Sequence, residues 1–271
     1  MNTLSQKSGL PISWDQEKEM ILCGKDMEPD DCRPEIRRRT DMLEVLYDKS
    51  AAGIDELYYM YRGLSLAEDS KEIAEAGLRY DITAIRPGLL GPEFVKTAGH
   101  YHPLKPETGF TWPEVYEVLS GRAHYLLQRM SSEQPDQIDA VLLISALPGD
   151  KVLIPPGFGH ITINAGDDFL IMSNWVAEGF DSVYEPVRQM QGGAFYGLED
   201  NGGIKFVPNR NYPSLPPLTV CPVMPVEQFM LNRGIQLYNV FKTNKKALRF
   251  LTSPEDYSAV FEDYLVKLNL S

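Results

Sequence analysis

From about residue 78 to residue 176 the chain runs as LRYDITAI, VYEVLSG, AHYLLQRM, AVLLISALPGD, KVLIPPG, HITINAGD and DFLIMSNWV. These are short segments rich in β-branched or aromatic residues, punctuated by Gly, Pro, Asp and Ser. Many short strands joined by such turns predict an all-β core, either a sandwich or a small barrel. EFVKT reads as a further strand, and AFYGLED-NGG-IKFVPN reads as a hairpin around Asn201-Gly202.

The flanks differ. Residues 1–35 read as an extended arm. From Thr40, a plausible N-cap, Met42, Leu43, Leu46 and Tyr47 recur with helical spacing, and Gly53 ends the pattern. A second helix is predicted from about Ala67 to Ala76, stopping at Gly77. After Pro208 comes a proline-rich, mostly extended connector. The end is a predicted helix with Ser253 as N-cap, Pro254 at the first position, and Tyr257, Val260, Phe261, Tyr264, Leu265 and Leu268 on one face. The expected division is therefore an N-terminal arm and helix over 1–57, a β domain over 58–207, and a connector with a packed C-terminal helix over 208–271.

Charge narrows the partners. The net charge of -12, from 38 acidic against 26 basic residues, disfavours a broad nucleic-acid footprint, which needs clustered Lys and Arg. Arg37, Arg38 and Arg39 form the one basic run; with Glu35, Asp41 and Glu44 around them they read as a solvated helix surface. Cys23, Cys32 and Cys221 show no paired or metal-ligand spacing, so no disulfide framework and a reducing, cytoplasmic setting are expected. The first residues lack an apolar signal core, and no run is long enough to span a bilayer.

The chemistry centres on four residues. His100 and His102 alternate by two, which puts both side chains on one face of a strand. Glu114 begins the next strand, and His160 follows the turn IPPGFG. Imidazoles plus a carboxylate make a site for one divalent ion, such as iron, manganese or zinc. A His-X-His pair alone is weak evidence. The combined pattern is stronger: Gly149, Pro155, Gly157, His160 and Asn164 are separated by six, two, three and four residues, which matches the second cupin motif. His100, His102, Glu114 and Gly121 match the first cupin motif in type, although Phe94 replaces its usual glycine and KPETGFTWP lengthens the interval before Glu114. Asn164 reads as a loop hydrogen-bonding residue, and His124 as structural rather than a ligand.

YYMYRG, LRYDITAIRPGLLGPEFVKTAGHYH, PEVYEVLSGRAHYLLQ and IPPGFGHITIN, lying between Tyr58 and about Tyr196, resemble the cupin-type glucose-6-phosphate isomerases. The resemblance implies a double-stranded β-helix barrel with His100, His102, Glu114 and His160 as metal ligands. It also implies that Thr83, Thr97, Gly99 and Tyr116 surround a hexose phosphate, in a cytoplasmic homodimer. Lys96 adds local positive charge only if it points inward. Members of that family carry a histidine after the strand that follows the second motif; here Phe180 and Asp181 stand nearest, with Tyr184 matching a nearby tyrosine.

The reaction this implies is reversible aldose–ketose isomerisation, with Glu114 and Tyr116 as catalytic residues. Glu114 is the best carboxylate for moving a proton, and Tyr116 shares its strand face. Two other readings compete. A metal-dependent oxygenase would consume dioxygen, and a non-catalytic cupin would hold a sugar without changing it.

Overall fold

The computed structural model describes residues 3–29, 32–131 and 137–270. Among these, one sheet has six strands in the order Lys151–Ile154, Glu114–Ser120, Leu170–Ala177, Leu78–Ile85, Glu56–Tyr61 and Glu35–Arg38. Every pairing in it is antiparallel. A second sheet has four strands in the order Phe158–Ile163, Ala123–Met130, Ile138–Ala146 and Leu218–Cys221. The two sheets face one another across the barrel interior, where the Tyr116 and Tyr125 rings meet at 5.4 Å. This is the predicted cupin barrel.

The strands are buried on both faces, so they read as near-continuous apolar runs rather than clean alternations. Within Leu78–Ile85, the parity of side chains sends Arg79, Asp81 and Thr83 toward the interior. Tyr80, on the outer face, packs under the C-terminal segment. Trp175 does the same one strand over. It is fully buried, stacks on Tyr238 at 5.8 Å, and donates its indole N–H to the Leu237 carbonyl at 2.9 Å. Burial of two such aromatics is a large apolar contribution that an uncovered sheet would lose.

The AFYGLED/IKFVPN hairpin forms as strands Phe195–Asp200 and Gly203–Pro208, with Asn201 and Gly202 both at positive φ in the turn. The helix Ala67–Glu75 forms and ends before Gly77, whose φ of 65° suits a residue without Cβ.

Several expectations are corrected. The arm over 1–35 is not extended throughout: it contains the helix Thr3–Ser8 and a hairpin pairing Ile12–Asp15 with Met20–Cys23, anchored by buried Leu4, Leu10, Ile12 and Ile21. The helix from Thr40 is replaced by two 3-10 turns, Arg39–Asp41 and Leu43–Val45. The Asp41 carboxylate accepts the Arg38 N–H at 2.8 Å and closes the first turn, while extended backbone at Leu46 ends the second. Of the four residues at helical spacing, Met42 and Leu46 are buried, Leu43 is half-buried and Tyr47 is exposed.

The arginine run is not a helix surface either. Arg37 and Arg38 lie in the strand Glu35–Arg38, Arg38 pairs with Asp55 and Glu56, and Arg37 turns over the Tyr58 and Tyr184 rings.

Cys23 and Cys32 form a disulfide, with Cα atoms 6.0 Å apart. The hairpin brings Cys23 to a strand end, and the Cys32 N–H donates to the Pro29 carbonyl at 3.1 Å just after the strand Met27–Glu28, a proximity that spacing alone does not reveal. The expectation of unpaired cysteines is thus overturned, and with it the cysteine argument for a reducing compartment. No helix among the described residues is long and apolar enough to cross a membrane.

The C-terminal helix begins later than predicted, at Ser258–Lys267 after a 3-10 turn over Pro254–Tyr257. An additional helix, Leu237–Asn244, precedes it.

Candidate active site

Four side chains converge inside the barrel. Ligand atoms of His100, His102, Glu114 and His160 all lie within 4.8 Å of one another. Glu114 is the first residue of its strand, opposite Ile154 and Val176, and this register turns its carboxylate inward. His160 comes from Phe158–Ile163 in the facing sheet. Gly157, at φ 86°, makes the turn that precedes it, and its N–H donates to Thr111 Oγ1 at 2.6 Å. His100 and His102 do not lie in a regular strand, as spacing suggested. They sit on an irregular segment pinned by bridges from His100 to His160 and from Tyr101 to Val183. The alternation survives locally, so both imidazoles still point the same way, with their Nε2 atoms 3.2 Å apart.

The donor set suits a cation. His102 Nδ1 lies 2.8 Å from the Trp112 carbonyl oxygen, which can only accept; the proton therefore sits on Nδ1 and the Nε2 lone pair faces inward. Glu114 Oε2 is 3.4 Å from His102 Nε2 and 3.2 Å from His160 Nε2, yet it is buried without a hydrogen-bond partner among the described residues. Lone pairs aimed at one another in a buried space repel unless a positive charge lies between them. Burial, reinforced by the neighbouring imidazoles, holds the pKa of His100 well below its ordinary value. Burial also pushes His102 down to about 4 against the opposing pull of Glu114. Both are therefore neutral near pH 7, the form that ligates. Burial alone would raise the Glu114 pKa; the close approach of the His160 and His102 imidazoles and of the Tyr116 hydroxyl outweighs it and brings the carboxyl below its usual value.

Around this cluster stand the other predicted residues. Tyr116 Oη is 3.1 Å from His160 Nε2, and burial together with the Glu114 charge keeps its phenol protonated. Thr83 and Thr97 both line the same cavity, on opposite walls of the barrel. Thr97 Oγ1 already accepts the Thr162 N–H at 2.9 Å. Gly99 is not itself a lining residue, although Ala98 and His100 on either side are. It is at φ 78°, and a Cβ there would meet Ile161 at 2.5 Å. Lys96 points away and is buried in an ion pair with Glu93 at 2.6 Å. His124 is hydrogen-bonded to Ser145 at 2.8 Å, outside the ligand group. Asn164 donates to the carbonyls of Ile85 and Asp168, as a loop residue should.

Phe180, near where a histidine was expected, stacks on Trp112 at 5.7 Å and contacts the His102 ring at 4.7 Å, so this wall is aromatic. Tyr184 stands 5.4 Å from His100.

Sequence reasoning missed Asn174, whose amide donates to Glu114 Oε1 at 2.7 Å and fixes the carboxylate. It also missed Arg62, Arg79 and Asp81. Arg62 and Arg79 line the cavity, and Asp81 lies fully buried behind them. The signal was present in LRYDIT, where Arg79, Asp81 and Thr83 share one strand face.

Two facing sheets enclosing an imidazole–carboxylate ligand set define a cupin with a candidate metal centre. Residues 36–214 match the family model described as glucose-6-phosphate isomerase. The chain is 30% identical over 186 residues to the glucose-6-phosphate isomerase of Pyrococcus abyssi, covering 66% of this chain and 88% of that one. It is 32% identical over 188 residues to the glucose-6-phosphate isomerase of Pyrococcus horikoshii, covering 65% and 87% respectively. The chain belongs to the cupin-type glucose-6-phosphate isomerase family. A Bacillus subtilis oxalate decarboxylase structure superposes over 47% of this chain and 28% of that one, with 18% identity and a TM-score of 0.34. That is too distant a likeness to bear on the chemistry.

Proposed function

We propose that this protein interconverts glucose 6-phosphate and fructose 6-phosphate, using one divalent ion per chain held by His100, His102, Glu114 and His160. The observation that carries this reading is the cluster itself: a buried carboxylate and three converging imidazoles, with the His102 Nε2 lone pair turned inward, next to a protonated tyrosine, in a chain of this family. When bound, iron, manganese or zinc would polarise the oxygens on C1 and C2 of the sugar.

The chain's own residues do the rest. Asn174 holds Glu114 Oε1, leaving Oε2 directed into the cavity. Glu114 takes the proton from C2 of the aldose and delivers it to C1 of the enediolate, while the hydroxyl proton of O2 passes to O1, so the ketose forms and the carboxylate ends as it began. Ligation lowers its basicity, and this tension makes its orientation by Asn174 valuable. Tyr116 donates a hydrogen bond to the sugar oxygen that gains charge. Thr83 and Thr97 supply hydroxyls to the sugar, and Gly99 lets the chain pass close to Ile161 while carrying His100 into place. The resemblance supports a homodimer in the cytoplasm; a monomer mass by sedimentation would refute the first.

The test is a coupled assay run in both directions on metal-loaded protein, with mannose 6-phosphate and unphosphorylated glucose as comparison substrates. Conversion of the two hexose phosphates without nicotinamide in the isomerising step is expected. No conversion of either by fully metallated protein overturns the reading. The double substitution His100→Ala, His102→Ala should abolish both activity and stoichiometric metal by elemental analysis; unchanged metal would place the site elsewhere.

A further inference from the structure

We infer that the C-terminal segment tunes the metal centre: Glu255, acting through Lys105, positions the loop whose backbone orients His102. This rests on the ion site proposed above and goes beyond it, because Glu255 lies outside residues 36–214, the stretch that matches the family model. Glu255 and Lys105 are positioning residues, and neither lines the cavity.

His102 is where the connection ends. Its Nδ1 lies 2.8 Å from the Trp112 carbonyl oxygen, the one hydrogen-bond partner of that nitrogen among the described residues. The acceptor is backbone, so no side chain at position 112 supplies it; the path of the loop from Pro103 to Trp112 does. An imidazole held through its second nitrogen keeps its tautomer and its aim. A shift of this loop therefore turns the His102 Nε2 lone pair away from the other three ligands.

This is the loop lengthened by KPETGFTWP. Within itself it is a tight hairpin: Leu104 bridges Thr111, the Lys105 N–H donates to the Phe110 carbonyl at 2.7 Å, and the Trp112 N–H reaches the Pro103 carbonyl at 3.4 Å. Two side chains hydrogen-bond it to the rest of the protein. At its root, Thr111 Oγ1 accepts the Gly157 N–H at 2.6 Å. Farther out, Lys105 Nζ donates to Glu255 Oε1, 150 residues along the chain. The same ammonium stands 5.5 Å over the Trp112 ring, and that ring stacks on Phe180 with an interplanar angle of 6°. One charge thus joins the C-terminal segment to the residue whose carbonyl holds His102.

The Glu255 end is firmly seated. It lies in the turn Pro254–Tyr257, where Pro254 is buried and Tyr257 packs edge-on against Phe229, itself stacked on Phe250 at 4.0 Å. The helix Ser258–Lys267 then returns to the barrel. Tyr264 Oη donates to the Leu153 carbonyl at 3.4 Å, and Leu153 pairs with Val115, the residue after Glu114. The Lys105 and Glu255 side chains are 19% and 33% exposed. Such a pair is sheltered enough to fix a loop and too open to be a main source of stability.

The experiment measures the zinc dissociation constant, by competition with a chelator, in wild type, Glu255→Lys, Lys105→Glu and the double variant that swaps the two charges. Isomerase rates are taken at low and at saturating zinc. Each single variant sets like charges against each other and should weaken zinc binding by about tenfold, the low end of the range for disturbing a group that orients a ligand. Saturating zinc should bring kcat back to within about twofold of wild type with KM unchanged, because no substrate contact is lost. The swapped pair should recover zinc affinity to within about threefold, a rescue that general loosening of the segment would not allow. Asp256→Asn is the control: one residue away, it breaks the exposed pair with Arg249 and should leave zinc binding as it is. Lys105→Met gives the same reading from the loop side if charge reversal prevents folding. Dissociation constants close to wild type in every Glu255 and Lys105 variant, or equal weakening by Asp256→Asn, would overturn the inference. If the wild type binds no stoichiometric zinc, the metal centre proposed above falls and takes this inference with it. Tight wild-type binding with unaffected variants removes the inference alone.

Discussion

Glu114 and Glu117 are three residues apart on one strand, and both are buried, yet the two faces of the sheet make them into different objects. Inside, Glu114 has one oxygen fixed by Asn174 and the other aimed at imidazoles without a hydrogen-bond partner of its own. Outside, Glu117 has both oxygens occupied: Oε1 takes the Lys151 ammonium at 2.8 Å, directly across the strand pair, and Oε2 takes the Leu237 N–H at 2.6 Å. Burial raises the Glu117 pKa against the pull of Lys151, whereas His160 brings Glu114 below the ordinary range. A saturated carboxylate fastens the helix Leu237–Asn244 to the barrel and has nothing left to give a substrate. An unsaturated one keeps an oxygen free to hold a cation or take a proton. Burial alone therefore does not mark a functional acid; the count of partners on each oxygen does.

The largest break in the symmetry should come from Glu114→Gln. It keeps size and an oxygen donor but removes the charge. Turnover should fall by roughly 10²- to 10⁴-fold, the range for losing a general base, with little change in the unfolding midpoint. Near-normal turnover at full metal occupancy would dismiss the acid–base role.

Glu117→Gln should do the converse. It strands the Lys151 ammonium, and removal of one partner of a buried pair costs about 3–5 kcal/mol of stability, readable in urea unfolding. Turnover of the remaining folded protein should stay within about threefold of wild type, below the 1.4 kcal/mol that a tenfold change represents. A large loss of turnover in folded protein would mean that the outer face steers the inner one.

The double substitution Glu117→Leu, Lys151→Met sharpens the contrast at the smallest scale. Replacing both buried charges with apolar groups should recover most of the lost stability. A deficit of about 1 kcal/mol should remain, because the Leu237 N–H has lost its acceptor. Stability as low as that of the single variant would show that the ion pair is worth more than its desolvation cost.

The ligand set is legible in the sequence because its determinants are local. A two-residue alternation aims His100 with His102, and the glycine–proline turn delivers His160 near the start of its strand. Glu114 opens a strand whose parity is readable in the same way. The barrel strands are legible for the same reason: period and turn residues are properties of a few consecutive positions. Only the tertiary structure decided which arginines face the cavity. Arg37 reads as part of a solvated run, Arg62 carries no local mark, and the strand parity that groups Arg79 with Asp81 and Thr83 does not say that their face lines a cavity. Strands separated in sequence bring Arg62 and Arg79 to one cavity wall around Asp81. The Cys23–Cys32 bridge and the seating of Leu237–Asn244 on Trp175 and Glu117 are likewise hidden from local pattern. A spacing rule can state which side of its own element a residue faces. It cannot state what lies on that side, because burial and charge pairing are set by segments brought together from far along the chain.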